Sequence, residues 1–179
     1  EYFLCVGTLE PRKNLTLALR AHARLPEAVR QRFPLLIAGM AGWQREQFND
    51  ELRSALAAGH VCLLGYLPDE DLAQLLAGAR ALVFPSLYEG FGLPVLEAMA
   101  SGTPVILTSA SAMPEVAADA GNYIQPDDPD SLRDAMTRLI EDPTHWQACR
   151  AAGLHRAKLF SWERCAKVTA RAYRQAMGD

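Results

Sequence analysis

Short, uniformly apolar runs alternate with amphipathic segments along most of this chain, and this alternation most constrains its fold. The runs lack the polar alternation of half-exposed strands, so they indicate parallel strands that are covered on both faces. Alternating β and α units predict an α/β fold, a doubly wound parallel sheet. The six predicted strands are Tyr2–Val6, Leu35–Ala38, Val61–Leu64, Ala81–Phe84, Val105–Thr108 and Tyr123–Gln125.

Helices are predicted between these strands and after the last of them. Asp69 is expected to cap one helix, which would bury Leu72, Leu75 and Leu76 along one side. Ser161 is expected to cap the last helix. The predicted helical segments are 14–25, 44–58, 69–78, 93–101 and 112–119, followed by the C-terminal helices 129–141, 143–159 and 162–177.

The overall composition excludes several classes of protein. With 179 residues, half of them hydrophobic, the chain suits one globular domain, and its net charge of −3 argues against a nucleic-acid partner. No apolar run approaches the ~20 residues that cross a bilayer, and we expect a cytoplasmic protein. Without any Cys-x-x-Cys spacing, we expect reduced, buried thiols at Cys5, Cys62, Cys149 and Cys165.

The segment from Glu89 to Glu97 prepares a helix start that can meet an anionic ligand. Gly90 and Gly92 allow positive φ angles and let a ligand approach the backbone. Pro94 suits the first turn of a helix. Unpaired N–H groups and the positive end of the helix dipole would then face an anion or a sugar hydroxyl. The two carboxylates can accept hydrogen bonds from hydroxyls, so the segment predicts a site for a polyhydroxylated, phosphorylated ligand.

Two adjacent cations, Arg12 and Lys13, follow the first predicted strand. In a doubly wound sheet, ligands bind at the carboxyl ends of the strands. Cations at that edge can neutralise a phosphate or diphosphate. Four residues that follow strands mark the same edge and are expected to line one crevice: Gly7, Gly39, Gly65 and Pro85.

The sequence around these residues resembles the donor-binding domain of the group-1 (family 4) retaining GT-B glycosyltransferases. The motif around Arg12 and Lys13 is most similar to that of mannosyltransferases. The resemblance covers about residues 1–160. It is carried by the run Gly7-Thr8-Leu9-Glu10-Pro11-Arg12-Lys13-Asn14, by Glu89-x7-Glu97, and by matches at 65–68, 81–86, 97–105 and 114–116. It implies the Rossmann-like half of a GT-B fold and a retaining, metal-independent transfer of a hexose, with GDP-mannose favoured as the donor.

The resemblance also implies a role for each matched residue. Arg12 and Lys13 would hold the donor diphosphate and stabilise the charge that grows on it. Glu89 would orient the donor hexose, although retaining hydrolases use similar carboxylates as nucleophiles. Glu97 would accept hydrogen bonds from the ribose. The other implied donor-binding residues are Gly7, Gly90, Phe91, Gly92 and Leu93 around the phosphates and sugar, and Gly39, Met40 and Tyr66 near the base.

The chain begins inside a predicted strand without an initiator Met, so we expect residues 1–179 to be the donor domain of a longer polypeptide whose N-terminal acceptor domain is absent. The implied partners are a nucleoside diphosphate sugar, that domain, and a glycan or lipid-linked acceptor, with no nucleic acid, cofactor or metal. The basic C-terminal region can be a solvated helix face, a contact with the inner face of the membrane, or a surface for the absent domain.

Two other functions stay open from the sequence. One is a sugar-nucleotide epimerase or hydrolase on the same scaffold, which would be expected to carry further acid/base residues in the crevice. The other is a non-catalytic nucleotide-sugar binding module. The presence of Arg12, Lys13, Glu89 and Glu97 together argues against a decayed site.

The chain departs from the family pattern at two places. Ser109–Met113 stand where relatives often carry a Gly-Gly pair, and Pro68–Asp71 replace a two-histidine element. The pairs Asp69-x-Asp71 and Asp128-x-Asp130 resemble a metal-binding element, but both precede helices and are expected to cap them. Packing or surface roles are expected for His22, His60, His145 and His155.

Overall fold

A computed structural model describes residues 1–40 and 49–178 of the chain. The strands are β1 (Phe3–Val6), β2 (Leu35–Ala38), β3 (Val61–Gly65), β4 (Ala81–Phe84), β5 (Val105–Thr108) and β6 (Gly121–Ile124). The helices are α1 (Leu15–Ala23), α2 (Glu27–Arg32), α3 (Asn49–Ala57), α4 (Asp69–Gly78), α5 (Leu93–Ala100), α6 (Met113–Ala117), α7 (Pro129–Glu141), α8 (Pro143–Ala157) and α9 (Trp162–Met177).

The strands form one parallel sheet in the order β3-β2-β1-β4-β5-β6. The chain builds outward from β1 to β3, then crosses back and builds outward again from β4 to β6. The strand order therefore reverses between β1 and β4, where loops leave their carboxyl ends in opposite directions and open a crevice. The predicted doubly wound parallel sheet is confirmed.

Both faces of the central strands β1, β4 and β5 are buried, which explains why these strands are apolar without alternation. Phe3 and Cys5 of β1 point into a core that α1 and α7 complete. Leu4, between them in sequence, points to the other face and joins a second core with Val95 and Met99 of α5. Side chains alternate between the faces of a strand, so one short run serves both cores.

The boundaries differ from the predictions at a few points. Helix α2 was not predicted, because its six residues make fewer than two turns and show too little hydrophobic periodicity to be recognised. The last strand begins at Gly121, two residues before the predicted start. Of the predicted helix 44–58, residues 49–57 form α3, and the prediction for 44–48 lies outside the described residues.

Three helix caps were predicted and two are confirmed. The Asp128 carboxylate accepts the Asp130 N–H at 2.9 Å, and the Ser161 hydroxyl accepts the Arg164 N–H at 3.1 Å. Asp69 is not a cap: Pro68 occupies that position with extended backbone, and Asp69 is the first residue of α4. Asp69 and Asp71 oppose the helix dipole from within the first turn instead. Leu76 is buried on the predicted side of α4, and Leu72 and Leu75 are half-buried.

The expectation of four buried thiols is wrong. Only Cys5 is buried among the described cysteines, and burial raises the pKa of its thiol to about 12. Cys62 is exposed because β3 is the edge strand of the sheet. Cys149 is half-buried, and Cys165 is exposed on α9, a helix that buries none of its residues.

Helix α9 carries exposed aromatic and basic residues on its surface, among them Trp162 and Tyr173. Two cations of the basic C-terminal region already have partners inside the fold: Arg156 donates to the Val116 and Glu115 carbonyls, and Arg150 lies over the Trp146 ring. In the described part of the chain, every helix is too short or too polar to cross a bilayer.

Candidate functional site: the crevice between β1 and β4

The backbone after β1 turns sharply and presents two cations to the crevice. Gly7 has a φ of +137°, and a Cβ built on it would lie 3.0 Å from Cε of Lys13, so glycine gives the lysine stem its room. Pro11–Lys13 form a short 3-10 helix that ends on Asn14, which adopts a left-handed conformation. Arg12 and Lys13 thus stand between the end of β1 and the start of α1.

Both cations bind the same carboxylate. Lys13 Nζ lies 2.6 Å from Glu89 Oε1, and Arg12 Nη1 lies 3.1 Å from Glu89 Oε2. The Lys13 and Glu89 side chains are only 14% and 10% exposed, whereas Arg12 is 44% exposed. Lys13 also lies 4.7 Å from the centre of the Phe84 ring, within the range of a cation–π contact. The lysine–glutamate pair is therefore the shielded centre of the site.

The electrostatics of Glu89 follow from these contacts. Its burial alone would raise the pKa of the carboxyl. The hydrogen bond from Lys13, a looser contact with the Ser86 hydroxyl, and the charges of Lys13 and Arg12 outweigh burial and lower the pKa. Glu89 is therefore a carboxylate at neutral pH. On its outer side, Arg12 donates to Glu10 at 2.8 Å, and Glu10 in turn accepts from the Thr8 hydroxyl at 2.7 Å.

The loop that carries Glu89 is held along its length by neighbouring loops. Its four successive residues 86–89 each have a bound backbone group. Thr108 donates to the Ser86 carbonyl at 2.6 Å, and the Leu87 N–H donates to the Arg12 carbonyl at 2.7 Å. Arg12 Nη1 also contacts the Tyr88 carbonyl at 3.3 Å. The Glu89 N–H donates to the Ser111 hydroxyl at 2.8 Å.

The end of this loop is the amino terminus of α5. Gly92 precedes the helix with a φ of +89°, a conformation that favours glycine, and a Cβ on it would also displace the terminal methyl of Met113, 2.4 Å away. Pro94 lies in the first turn as predicted. Among the described residues, no group accepts a hydrogen bond from the N–H of Phe91, Gly92 or Leu93. Three donors and the positive end of the α5 dipole remain available.

The two glycines of the loop differ in conformation. Both were expected to allow a positive φ, and only Gly92 has one. A Cβ on Gly90 would meet nothing within 4 Å, so neither conformation nor crowding by the described residues requires glycine there. Close approach of a ligand remains the predicted reason. The Phe91 ring is 41% exposed and packs edge-on against the Phe160 ring, with 5.9 Å between centroids.

Glu97 lies on α5, shortly after the loop that Arg12 and Lys13 bind, and its side chain is exposed. Partial burial of its carboxyl, and then the negative charge of Asp69 at the start of α4, raise its pKa. None of the described cations pairs with it. The structure thus brings all four predicted charged residues to one edge of the sheet, with Glu97 beyond the cation cluster.

The residues predicted near the base lie at the same edge, after β2 and β3. Gly39 has a φ of +149°, and a Cβ on it would collide with the Gly7 carbonyl oxygen at 1.9 Å. Glycine is needed there because the loops after β1 and β2 touch, which is a packing reason independent of any ligand. Met40 and Tyr66 are 57% and 71% exposed, so both present apolar surface beside the crevice.

A small pocket lies in this crevice, at the carboxyl ends of β1 and β4. Gly7, Thr8, Lys13, Phe84 and Ser86 are among its lining residues. The Ser86 hydroxyl is buried without a hydrogen-bond partner of good geometry among the described residues. Sequence reasoning missed Ser86, Thr108 and Ser111. For Ser111 a signal existed, because it falls in the segment that departs from the Gly-Gly pattern.

Two of the four histidines have packing contacts inside the fold. His22 is buried in α1 and shares a hydrogen bond of 2.9 Å with the Phe33 carbonyl. His145 contacts the Asn122 side chain at 2.9 Å, next to β6. Within residues 1–40 and 49–178, no three His, Cys, Asp or Glu side chains are grouped so that they could hold a metal ion.

Comparisons with known proteins show the family of this chain. Residues 1–156 match the model of the family "Glycosyl transferases group 1". The chain is 42% identical over 173 residues to the O-antigen chain mannosyltransferase B of Escherichia coli. This alignment covers 97% of this chain and 45% of that protein. It is 33% identical over 172 residues to the serotype-specific mannosyltransferase WbdA of Escherichia coli, covering 94% of this chain and 21% of WbdA.

Among solved structures, the sucrose-phosphate synthase of Thermosynechococcus elongatus superposes with a TM-score of 0.83 at 28% identity, over 99% of this chain and 46% of that one. This chain therefore spans less than half the length of each of these relatives. The family match extends over the whole sheet, the cation pair and the segment from Glu89 to Glu97. The chain belongs to the group 1 glycosyl transferases.

Proposed function

We propose that this chain is the donor-binding domain of a retaining, metal-independent mannosyltransferase that uses GDP-mannose. The observation that carries the proposal is the position of Arg12 and Lys13. They stand at the point where the strand order reverses, next to a loop that ends in three unpaired N–H groups. A diphosphate is the ligand whose charge and size suit two cations and a helix amino terminus together.

Arg12 and Lys13 would act on the transition state more than on the bound donor. The bond between the anomeric carbon and the β-phosphate oxygen breaks as the hexose leaves, and negative charge collects on the diphosphate. Cations that are already oriented stabilise this charge without rearranging solvent. In the structure, Glu89 neutralises and orients both cations. An incoming diphosphate would share these cations with Glu89, whose carboxylate would lie at the hexose end of the donor.

Glu97 is the candidate for the ribose. Its carboxylate is exposed on α5 and has no cation partner among the described residues, so both oxygens can accept from a vicinal diol. Met40 and Tyr66 provide exposed apolar surface at the neighbouring strand ends, where a base could lie. The phosphates, the sugar and the nucleoside would then run along one edge of the sheet.

Mannose is favoured by the relatives. The two bacterial proteins described above are named as mannosyltransferases, one of the O-antigen chain and one serotype-specific. We extend this to the guanine nucleotide because of the sequence around Arg12 and Lys13. The acceptor, a glycan or a lipid-linked glycan, and the second domain that would supply its site belong to the same proposal, as does a location in the cytoplasm at the inner face of the membrane.

Isothermal titration calorimetry of the chain with GDP, UDP and ADP tests the nucleotide site. We expect weak binding with GDP preferred, and no hexose transfer by this domain alone. The variant Arg12→Gln should weaken GDP binding at least roughly ten-fold, because it removes a charge-assisted contact. Arg20→Gln is the matched control: Arg20 is also a half-exposed arginine that pairs with a glutamate, Glu51, but on the α1–α3 surface.

The outcomes separate the parts of the proposal. No heat with any of the three nucleotides at millimolar concentration would contradict a donor site. Preference for UDP or ADP would overturn the guanine nucleotide while leaving the site in place. Equal losses in Arg12→Gln and Arg20→Gln would show that binding depends on net charge rather than on the crevice.

A further inference from the structure

The loop between β5 and α6 contains a residue in an unfavourable backbone conformation. Ser111 has a φ of +48°, one of three positive values among the described residues other than glycine. The left-handed region disfavours residues that have a Cβ, and glycine is the usual choice there. A serine at this position has a conformational cost that a side-chain contact can offset.

The Ser111 hydroxyl has such a role in the structure. It accepts the hydrogen bond of the Glu89 N–H at 2.8 Å, across 22 residues of sequence. Glu89 is thereby held at both ends, since its carboxylate is bound by Lys13 and Arg12. Three residues earlier, the Thr108 hydroxyl donates to the Ser86 carbonyl at 2.6 Å. Two hydroxyls from the end of β5 thus attach the loop that follows β4.

We propose that Ser111 is a positioning residue that fixes the backbone of Glu89 and so aims its carboxylate at the hexose of the donor. This rests on the proposed function, because it takes Glu89 to be the group at the hexose end. Ser111 itself does not touch the reacting atoms. Lys13 and Arg12 still hold the Glu89 carboxylate when the hydroxyl is lost. Loss of the hydroxyl should therefore weaken binding of the hexose more than binding of the nucleotide.

Glycine at this position separates the two effects of serine. Ser111→Gly relieves the left-handed conformation and removes the hydroxyl, so the fold is retained while the Glu89 N–H loses its acceptor. Ser109→Gly is the matched control, since Ser109 is exposed in the same loop and has no side-chain hydrogen bond in the described structure. Both variants add glycine flexibility to the loop, and only one removes the contact with Glu89.

The experiment compares two ligands by calorimetry: GDP, which has no hexose, and GDP-mannose. For Ser111→Gly, we expect GDP-mannose to bind roughly three- to ten-fold more weakly, as for the loss of one hydrogen bond, while the affinity for GDP stays within about two-fold. Ser109→Gly should change neither. Equal changes for both ligands, or no change for either, would overturn the role of Ser111. Failure of the unaltered chain to bind any nucleotide would instead overturn the proposed function.

A second measurement does not depend on a ligand. Hydrogen exchange of the Glu89 amide reports whether its N–H is bound in solution. We expect this amide to be protected in the unaltered chain and in Ser109→Gly, and to lose roughly three- to ten-fold of its protection in Ser111→Gly and Ser111→Ala. Unprotected exchange of Glu89 in the unaltered chain would contradict the contact itself.

Discussion

Glu89 and Glu97 are the same residue type, eight positions apart, yet the structure gives them opposite environments. Glu89 is buried between two cations, and their contacts lower the pKa of its carboxyl although burial acts the other way. Glu97 is exposed on α5 without a cation among its described neighbours, and partial burial and Asp69 raise its pKa. Glu89 is thus already paired within the fold, whereas the Glu97 carboxylate is free to bind a ligand.

The difference shows how a site can be prepared without a ligand. Two cations in a crevice would repel each other, and Glu89 neutralises this repulsion in the absence of a ligand. A diphosphate in the proposed site would take over that role. A group that only meets the ligand needs no such compensation and can remain in solvent. If this interpretation holds, substitutions at the two ends of the segment must separate stability from binding.

Lys13→Met should produce the largest change. It leaves the buried Glu89 carboxylate with only the half-exposed Arg12, so we expect the free energy of unfolding to fall by about 1–3 kcal/mol. GDP binding should weaken roughly 10- to 100-fold with the loss of a charged donor. Chemical denaturation and calorimetry measure the two effects. Lys167→Met, which breaks the exposed pair with Glu163, is the control and should change neither by much.

Glu89→Gln should divide the two properties. The amide keeps the shape but not the charge, and we expect unfolding to become easier by about 1–2 kcal/mol as the cations lose their partner. Binding of GDP should become roughly five-fold tighter, because one opposing charge of about 1 kcal/mol at high dielectric is removed. Weaker GDP binding in this variant would mean that Glu89 contributes to the phosphate site directly.

Glu97→Gln should give the reverse pattern. The side chain is exposed, so we expect the free energy of unfolding to stay within about 0.5 kcal/mol of the unaltered chain. GDP should bind roughly three- to ten-fold more weakly because a charged acceptor for the ribose is lost. If this variant and the unaltered chain bound GDP with the same affinity, Glu97 would be excluded from the nucleotide site.

The smallest expected effect is the pH dependence of stability. A carboxyl whose pKa is lowered by folding stabilises the protein above its unfolded pKa, and this contribution is lost as the pH falls through the folded pKa. For Glu89 the stabilising effect should thus be complete above its ordinary value of 4.5 and decline below it. Glu97 has a raised pKa, so its contribution is present at low pH and is lost as the pH rises.

Thermal melts between pH 3 and 7 test this sign. The gap in midpoint between the unaltered chain and Glu89→Gln should shrink on acidification. The corresponding gap for Glu97→Gln should be small, with the variant the more stable protein near neutral pH. Parallel curves for all three proteins would show that neither carboxyl has a pKa altered by folding.

Much of the fold could be predicted because its signals are local. Six apolar runs marked the strands to within about two residues, and glycine or proline marked the edge where the loops meet. Errors arose where a local pattern was too short or its surroundings decided. Helix α2 spans six residues, Pro68 took the cap position in place of Asp69, and Cys62 is exposed because β3 lies at the edge of the sheet.

The sequence predicted which charged residues lie in the candidate site, but not which of them contact one another. The sequence brought Arg12, Lys13 and Glu89 to one crevice, since each follows a strand of a parallel sheet. It did not reveal that the three bind one another, or that Ser111 holds the Glu89 backbone. These partners are separated by 76, 77 and 22 residues, and no periodicity of the chain encodes such pairs.

The amino-acid sequence by itself determined the sheet, its two buried faces and the edge at which charged residues gather, because hydrophobic periodicity and turn residues act over a few positions. Only the tertiary structure decided which carboxylate neutralises the cations and which faces solvent. That choice depends on distances of a few ångströms between loops remote in sequence, where burial and charge together set each pKa.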